Sequence, residues 1–341
     1  MKRWLALVVF VAFVAAGLTG WRQFIRLSMP YRAYPGAERF VEIEPGMGPG
    51  AIGSRLVSAG VVRDSWTWRI ALWQSGSSTR LKAGEYRFDR TMPPEQVIAR
   101  LVRGDVYLRT ITFPEGLTIR QMARLFEERG FGRADDFIEA ASDGSLASGF
   151  DPGARDLEGY LFPETYALPR RASARDLVRQ MVGSFEAVWT QDLREAAAAD
   201  GLSTRQAVTL ASLVEKETAR GDERAIVAAV YRNRLRVRMG LQCDPTVIYA
   251  LERRGRFNGN LTRADLSIDS PYNTYRYAGL PPGPIAAPGR AALEAAVRPA
   301  QVDYLYFVSR NDGSHAFAAS LAEHNRNVFT YQVQYFRKNW R

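Results

Sequence analysis

The stretch Ala207–Thr218, AVTLASLVEKET, sets two carboxylates on one amphipathic helix. Ser203 stands where a cap belongs, and Gln206 completes a capping box three residues on. At about 100° per residue, Ala207, Leu210, Ala211, Val214 and Thr218 share one apolar face, and Lys216 points away from it. Glu215 and Glu217 flank that face on opposite sides. Glu217 falls beside Leu210, Leu213 and Val214, whereas Glu215 falls beside Val208, Ala211 and Ser212. A carboxyl group among leucines is hard to ionise, so it holds its proton nearer neutral pH. A general acid that cleaves a glycosidic bond needs that property. The competing reading is a solvated helix flank, with Glu217 ion-paired to Arg220 or Arg224.

Three further stretches concentrate polar groups among aromatics and turns. They are Leu157–Tyr166 (LEGYLFPETY, with Glu158 and Glu164), Leu241–Thr246 (LQCDPT) and Ser270–Tyr277 (SPYNTYRY). Tyrosine rings stack on pyranose faces while amides and hydroxyls bond sugar hydroxyls. The candidate substrate-binding residues are therefore Gln242, Asp244, Thr246, Tyr272, Asn273, Thr274, Tyr275 and Glu164. Each taken alone also reads as a core or turn residue. His315 and His324 are the only histidines, and neither has cysteines or carboxylates at ligand spacing, so no metal is expected. Cys243, the only cysteine, has no histidine partner in sequence, and no GxSxG or phosphate-binding glycine loop occurs. No cofactor is expected.

These residues must be positioned by a chain of 341 residues, long enough for two domains after a membrane anchor. Lys and Arg outnumber Asp and Glu by 46 to 36, a net charge of +10 that favours an anionic partner. The basic residues are dispersed without a long run, which argues against nucleic acid. Lys2 and Arg3 precede Trp4–Trp21, an uncharged apolar run just long enough to span a bilayer. A signal peptide cut after Ala16 is the competing reading, but the apolar run continues past that point.

Leu27–Glu38 reads as a linker. A strand–turn–helix pattern then occurs twice, over Val41–Gly60 and Thr110–Gly130, with the two glycines of each unit at the same offset. Between the two, Ser65–Trp73 predicts a helix, Lys82–Phe88 a strand and Pro93–Val102 a helix with proline in its first turn. Phe40–Phe88 thus reads as a small α+β module with a two-stranded sheet. From Ala172 to Arg220 the chain is mostly helical. Asp222 is placed to cap a helix to about Leu235, and Asp244-Pro245 to start one to Leu251. Leu280–Gly289 should be a rigid, ordered loop, Tyr304–Ser309 a buried strand and Ala318–Lys338 a terminal helix.

ASLVEKET, RNRL (Arg232–Leu235), LQCDPTVIYAL, SPYNTYRYAGLPPGPIAAPG, LEGYLFPETY and the closing LYFVSRNDGSHAF together resemble the YceG-like endolytic murein transglycosylases. The resemblance covers nearly the whole chain. It implies an α+β fold with an N-terminal transmembrane helix (1–26), a linker (27–39), a small LysM-like α+β module (40–104) and a larger, mostly helical α+β catalytic domain (105–341). It further implies a single-pass protein of the bacterial inner membrane, with its catalytic domain on the periplasmic, cell-wall side. The implied substrate is the nascent peptidoglycan glycan strand, cut endolytically between N-acetylmuramic acid and N-acetylglucosamine to leave 1,6-anhydromuramyl ends and to terminate strand growth. Penicillin-binding peptidoglycan synthases are the implied partners. On this matching the catalytic glutamate is Glu217, with Glu215 the alternative acid, and Glu217-Thr218 is similar to the Glu-Ser pair of other lytic transglycosylases. Asn273, Tyr275 and Gln242 would hold the substrate and orient the acid. Cys243 departs from the small hydroxyl residue expected there. A lysozyme-type muramidase and a non-enzymatic wall-binding scaffold are the rival functions.

Overall fold

The apolar run after Lys2 and Arg3 continues as a single helix, α1 (Lys2–Ser28), well beyond Trp21. Residues 2–218 and 220–339 are described by a computed structural model. Among these residues one helix is long and apolar enough to cross a membrane, over Leu7–Ser28.

The chain divides into two units, residues 1–109 with 168–171, and residues 110–167 with 172–341. In the first, β1 (Arg39–Ile43) leads through a turn into α2 (Pro49–Ser58) and α3 (Ser65–Ser75). β2 (Gly84–Phe88) returns antiparallel to β1, and α4 (Pro94–Arg103) follows. The alternation of β1 turns Val41 and Ile43 inward, where they join Leu56, Trp68, Tyr86, Phe88 and Leu101 in one core. Residues 29–38 form no helix, yet they are pinned to this core. Tyr34 is buried and donates its hydroxyl to Phe88 O at 2.8 Å, and Ala33 N–H bonds Gly60 O.

The division falls within β3 (Leu108–Thr112) and β4 (Thr165–Pro169), which pair with each other. After β3 the strand–turn–helix pattern repeats with α5 (Ile119–Glu128), capped by Thr118 and Gln121. The equal glycine offsets are realised as equal backbone: φ is +80° and +72° at Gly46 and Gly60, +77° and +69° at Gly116 and Gly130. A left-handed residue ends each helix because glycine adopts it without a Cβ clash.

α6 (Ala134–Ala141), α7 (Ala174–Val188) and α8 (Gln191–Ala199) lead to α9 (Thr204–Glu217), followed by α10 (Arg224–Arg236), α11 (Asp244–Arg253) and α12 (Arg290–Val297). α9 packs against α8, α10, α11 and α12, which explains why Ala207–Val214 is buried all round rather than on one face. The chain then forms an antiparallel pair, β5 (Tyr306–Ser309) with β6 (His315–Ala318), where the sequence reading held only the first strand. β5 is half-buried rather than buried. The terminal helix is three pieces: α13 (Leu321–Val328), a π-helical turn (Phe329–Gln334) and α14 (Tyr335–Asn339).

Candidate active site

Ser203 and Gln206 form the anticipated capping box, and α9 ends on Glu217 itself. Its two carboxylates meet different surroundings. Glu215 is spoken for: Arg224 Nη2 lies 3.3 Å away, and the Gly289 amide donates to Oε2 at 3.0 Å. Glu115 reaches the same guanidinium at 3.6 Å. Leu280–Gly289 is ordered as expected, with Ile285, Ala286 and Ala287 buried. It is held by Ile285 N–H to Ser212 Oγ, by Gly116 N–H to Ala287 O and by Ala287 N–H to Leu117 O. This loop covers the Glu215 side of α9.

Glu217 makes no ion pair with Arg220 or Arg224. Arg220 binds Asp222 at 2.7 Å and Arg224 binds Glu215, so the solvated-flank reading does not describe Glu217. Its Oε2 instead accepts from the Tyr231 hydroxyl at 3.1 Å, with Cys243 Sγ 3.7 Å away. Burial pushes the Glu217 pKa up, opposed by the Tyr231 hydroxyl, by the charge of His315 and by the Cys243 thiol, and reinforced by Asp244. The carbonyl end of α9 adds in the same direction, since the helix dipole disfavours an anion there. Glu215 is also raised, again chiefly by burial. Proton affinity therefore does not separate the two carboxyls. Pairing does, because among the described residues Glu215 forms an ion pair and Glu217 does not.

The base of the site is a web of buried hydroxyls and amides. Thr274 Oγ1 accepts from Cys243 N–H at 3.0 Å, and Thr246 donates to Cys243 O at 2.6 Å. Asn273 is wholly buried and gives its amide to Leu266 O and Ile268 O, both at 2.9 Å. Thr246, Thr274 and Asn273, singled out as substrate contacts, thus spend their polar groups inside the protein. They hold the Cys243 and 270–277 loops in register. Gln242, Asp244 and Tyr275 are exposed beside this web. The Tyr275 hydroxyl donates to Asp244 Oδ1 at 2.5 Å, and Gln242 sits at φ +49° with its amide on Thr274 O. Asp244 is the first residue of α11, with Cys243 at the cap position. Tyr272 belongs elsewhere, its ring 4.9 Å from Tyr249. Glu164 is exposed at the start of β4, its carbonyl accepting from Phe113 N–H. Thr218 is buried, its hydroxyl accepting from Arg220 N–H.

Several contributors were not legible as such. Tyr231 lies just before the RNRL stretch. Within that stretch the buried Arg234 donates to Leu241 O and Leu305 O, and Asn233 to Val302 O and Tyr304 O. RNRL thereby ties the Cys243 loop to β5. Asp222 does not cap α10 as anticipated; Glu223 stands there with its carboxylate on His315, Nδ1 to Oε2 being 2.6 Å. No group of three or more metal-ligating side chains occurs among the described residues.

This arrangement offers one half-buried carboxyl with a raised pKa and no ion pair, next to an exposed edge of amide, carboxylate and phenol. The YceG-like family profile matches residues 41–330. The chain is 32% identical over 305 residues to an endolytic murein transglycosylase of Bacillus subtilis, covering 84% of this chain and 82% of that protein. A relative of the same name from Streptococcus pneumoniae is 29% identical, covering 95% of this chain but 64% of its own length. A crystal structure of a yceG-like protein from Listeria monocytogenes superposes with a TM-score of 0.58 at 30% identity, covering 85% of this chain and 98% of that one. This chain belongs to the YceG-like family.

Proposed function

We propose that the protein is an endolytic murein transglycosylase in which Glu217 acts first as acid and then as base. The protonated carboxyl gives its proton to the oxygen joining N-acetylmuramic acid to N-acetylglucosamine. The C1–O bond breaks, and positive charge develops across C1 and the ring oxygen. The muramic 6-hydroxyl attacks C1 and yields its proton to the Glu217 carboxylate, which restores the acid and leaves a 1,6-anhydro end. No water is consumed. One carboxyl suffices, unlike the paired carboxylates of most glycosidases.

The absence of an ion pair to Glu217 among the described residues supports this reading, because an ion-paired carboxylate would already have surrendered its proton. Gln242, Asp244 and Tyr275 are the exposed groups placed to meet the sugar. Asn273, Thr246 and Thr274 act through the loops they hold. We read α1 as a single-pass anchor in the bacterial inner membrane, and residues 40–104 as a LysM-like, wall-binding module ahead of a catalytic domain at 105–341. Penicillin-binding peptidoglycan synthases are the fitting partners, with cleavage ending strand growth. Glu217→Gln should abolish cleavage of purified glycan strands while far-ultraviolet circular dichroism and melting stay unchanged. Full activity in that variant would refute the assignment. Mass spectrometry of wild-type products separates the mechanisms, since a reducing muramic end would mean that water had attacked.

A further inference from the structure

A second recess, about 650 Å³, opens around Glu158, Tyr272 and Arg253, toward the far end of α11 from Cys243. At 1.5 Å per residue, Arg253 lies about 15 Å along the helix axis from the Glu217 cluster. Its walls come from the LEGY, SPYN and LPPGP stretches, whose polar residues the cleavage mechanism leaves largely unused. Glu158 is buried, with Oε1 accepting from Ile119 N–H at 3.1 Å and Oε2 lying 3.1 Å from the Tyr249 hydroxyl. Burial pushes its pKa up to about 8, so at neutral pH it carries a proton. Arg253 lies over the rings of Tyr249 and Tyr272, at 5.7 and 5.5 Å, with Nη1 3.4 Å from the Tyr272 hydroxyl. Among the described residues neither Arg253 nor Arg155, which also lines the recess, has a carboxylate within ion-pair distance, although Asp156 and Glu158 act on Arg253 from farther away.

We propose that this recess binds the carboxylate-bearing stem peptide of the glycan strand whose bond Glu217 cleaves, an inference that rests on the murein reading above. A peptide-free strand offers the Arg253 and Arg155 guanidiniums only its muramic lactyl carboxylates, and it offers no ammonium. A stem peptide has free carboxylates, and its diamino acid has an ammonium that Asp156, also lining the recess, can accept. Guanidinium groups bind carboxylates through charge-assisted, often bidentate hydrogen bonds. The tyrosine and proline walls suit the aliphatic remainder of such a peptide.

The test uses the full-length chain carrying Glu217→Gln, which can bind without turnover, and calorimetry with muramyl tripeptide and with a peptide-free disaccharide. Adding Arg253→Gln should weaken the tripeptide about tenfold, as expected for one charge-assisted contact. Arg253→Lys should recover part of the loss. In the otherwise native enzyme, Arg253→Gln should lower kcat/KM on peptide-bearing strands relative to amidase-stripped strands by the same factor, mostly through KM. Unchanged tripeptide affinity, or an equal loss for the disaccharide, would overturn the inference. Failure of Glu217→Gln to stop cleavage would instead strike the catalytic assignment, and the binding comparison would stand apart from it.

Discussion

Replacing Tyr231 by Phe removes the hydroxyl that donates to Glu217 at 3.1 Å, without altering the ring that packs against Phe307. That bond favours the ionised carboxylate, so it holds the Glu217 pKa below what burial alone would impose. A hydrogen bond to a charged group is worth about 1.5–3 kcal/mol, and 1.36 kcal/mol is one pKa unit. Cys243 and His315 still favour the anion, so the lower end applies and Glu217 should rise by about one unit. Cleavage requires the protonated acid, and the rate therefore falls as pH climbs through this pKa. In Tyr231→Phe the descending limb should move to higher pH by about one unit, with a lower plateau because a more basic carboxylate is a weaker acid. The assay is kcat/KM for soluble glycan strands across pH, which reports the free enzyme. A limb that stays in place, or moves to lower pH, would mean that the phenol does not govern the proton and that the acid lies elsewhere.

Two stability measurements probe the surrounding frame. Glu158 has a folded pKa of about 8 against an ordinary carboxylate value unfolded, so the native state holds the extra proton between the two. Its stabilising effect is complete at low pH and is lost as pH rises toward 8. Urea unfolding should show wild-type stability declining relative to Glu158→Gln by a few kcal/mol between pH 5 and 8, and parallel curves would disprove the raised pKa. Gly159 has φ +82°, and an added Cβ would lie 2.4 Å from Pro284 Cβ and 3.2 Å from Val208 Cγ1. Gly159→Ala should cost at least about 2 kcal/mol, roughly 5 °C or more in melting temperature by calorimetry, and an unchanged Tm would contradict the close packing of the 280–289 loop on α9.

Elements with local causes were legible. The Ser203–Gln206 capping box, the proline-led starts of α4 and α11 and the twin strand–turn–helix units all appear at or within a few residues of their expected places. β6 was not legible, because HAFA is too short and too mixed to show a period before its partner is known. At the start of α10 the cap position falls to Glu223 rather than Asp222. Asp222 has the right type and place, but Arg220 two residues back competes for it and wins.

The chain alone settled that Glu215 and Glu217 leave α9 in opposite directions, since helical geometry acts over a few residues and needs nothing from the rest of the molecule. It also settled the family, through motifs that keep their order along the chain. Tertiary structure decided which of the two carboxyls is ion-paired. Arg224 and Gly289 claim Glu215, and Tyr231 and Cys243 enclose Glu217. Tertiary structure also turned Asn273, Thr246 and Thr274 inward as braces. A side chain's proton affinity and its exposure depend on whatever the fold brings within a few ångströms, and those partners come from segments that sequence spacing does not relate.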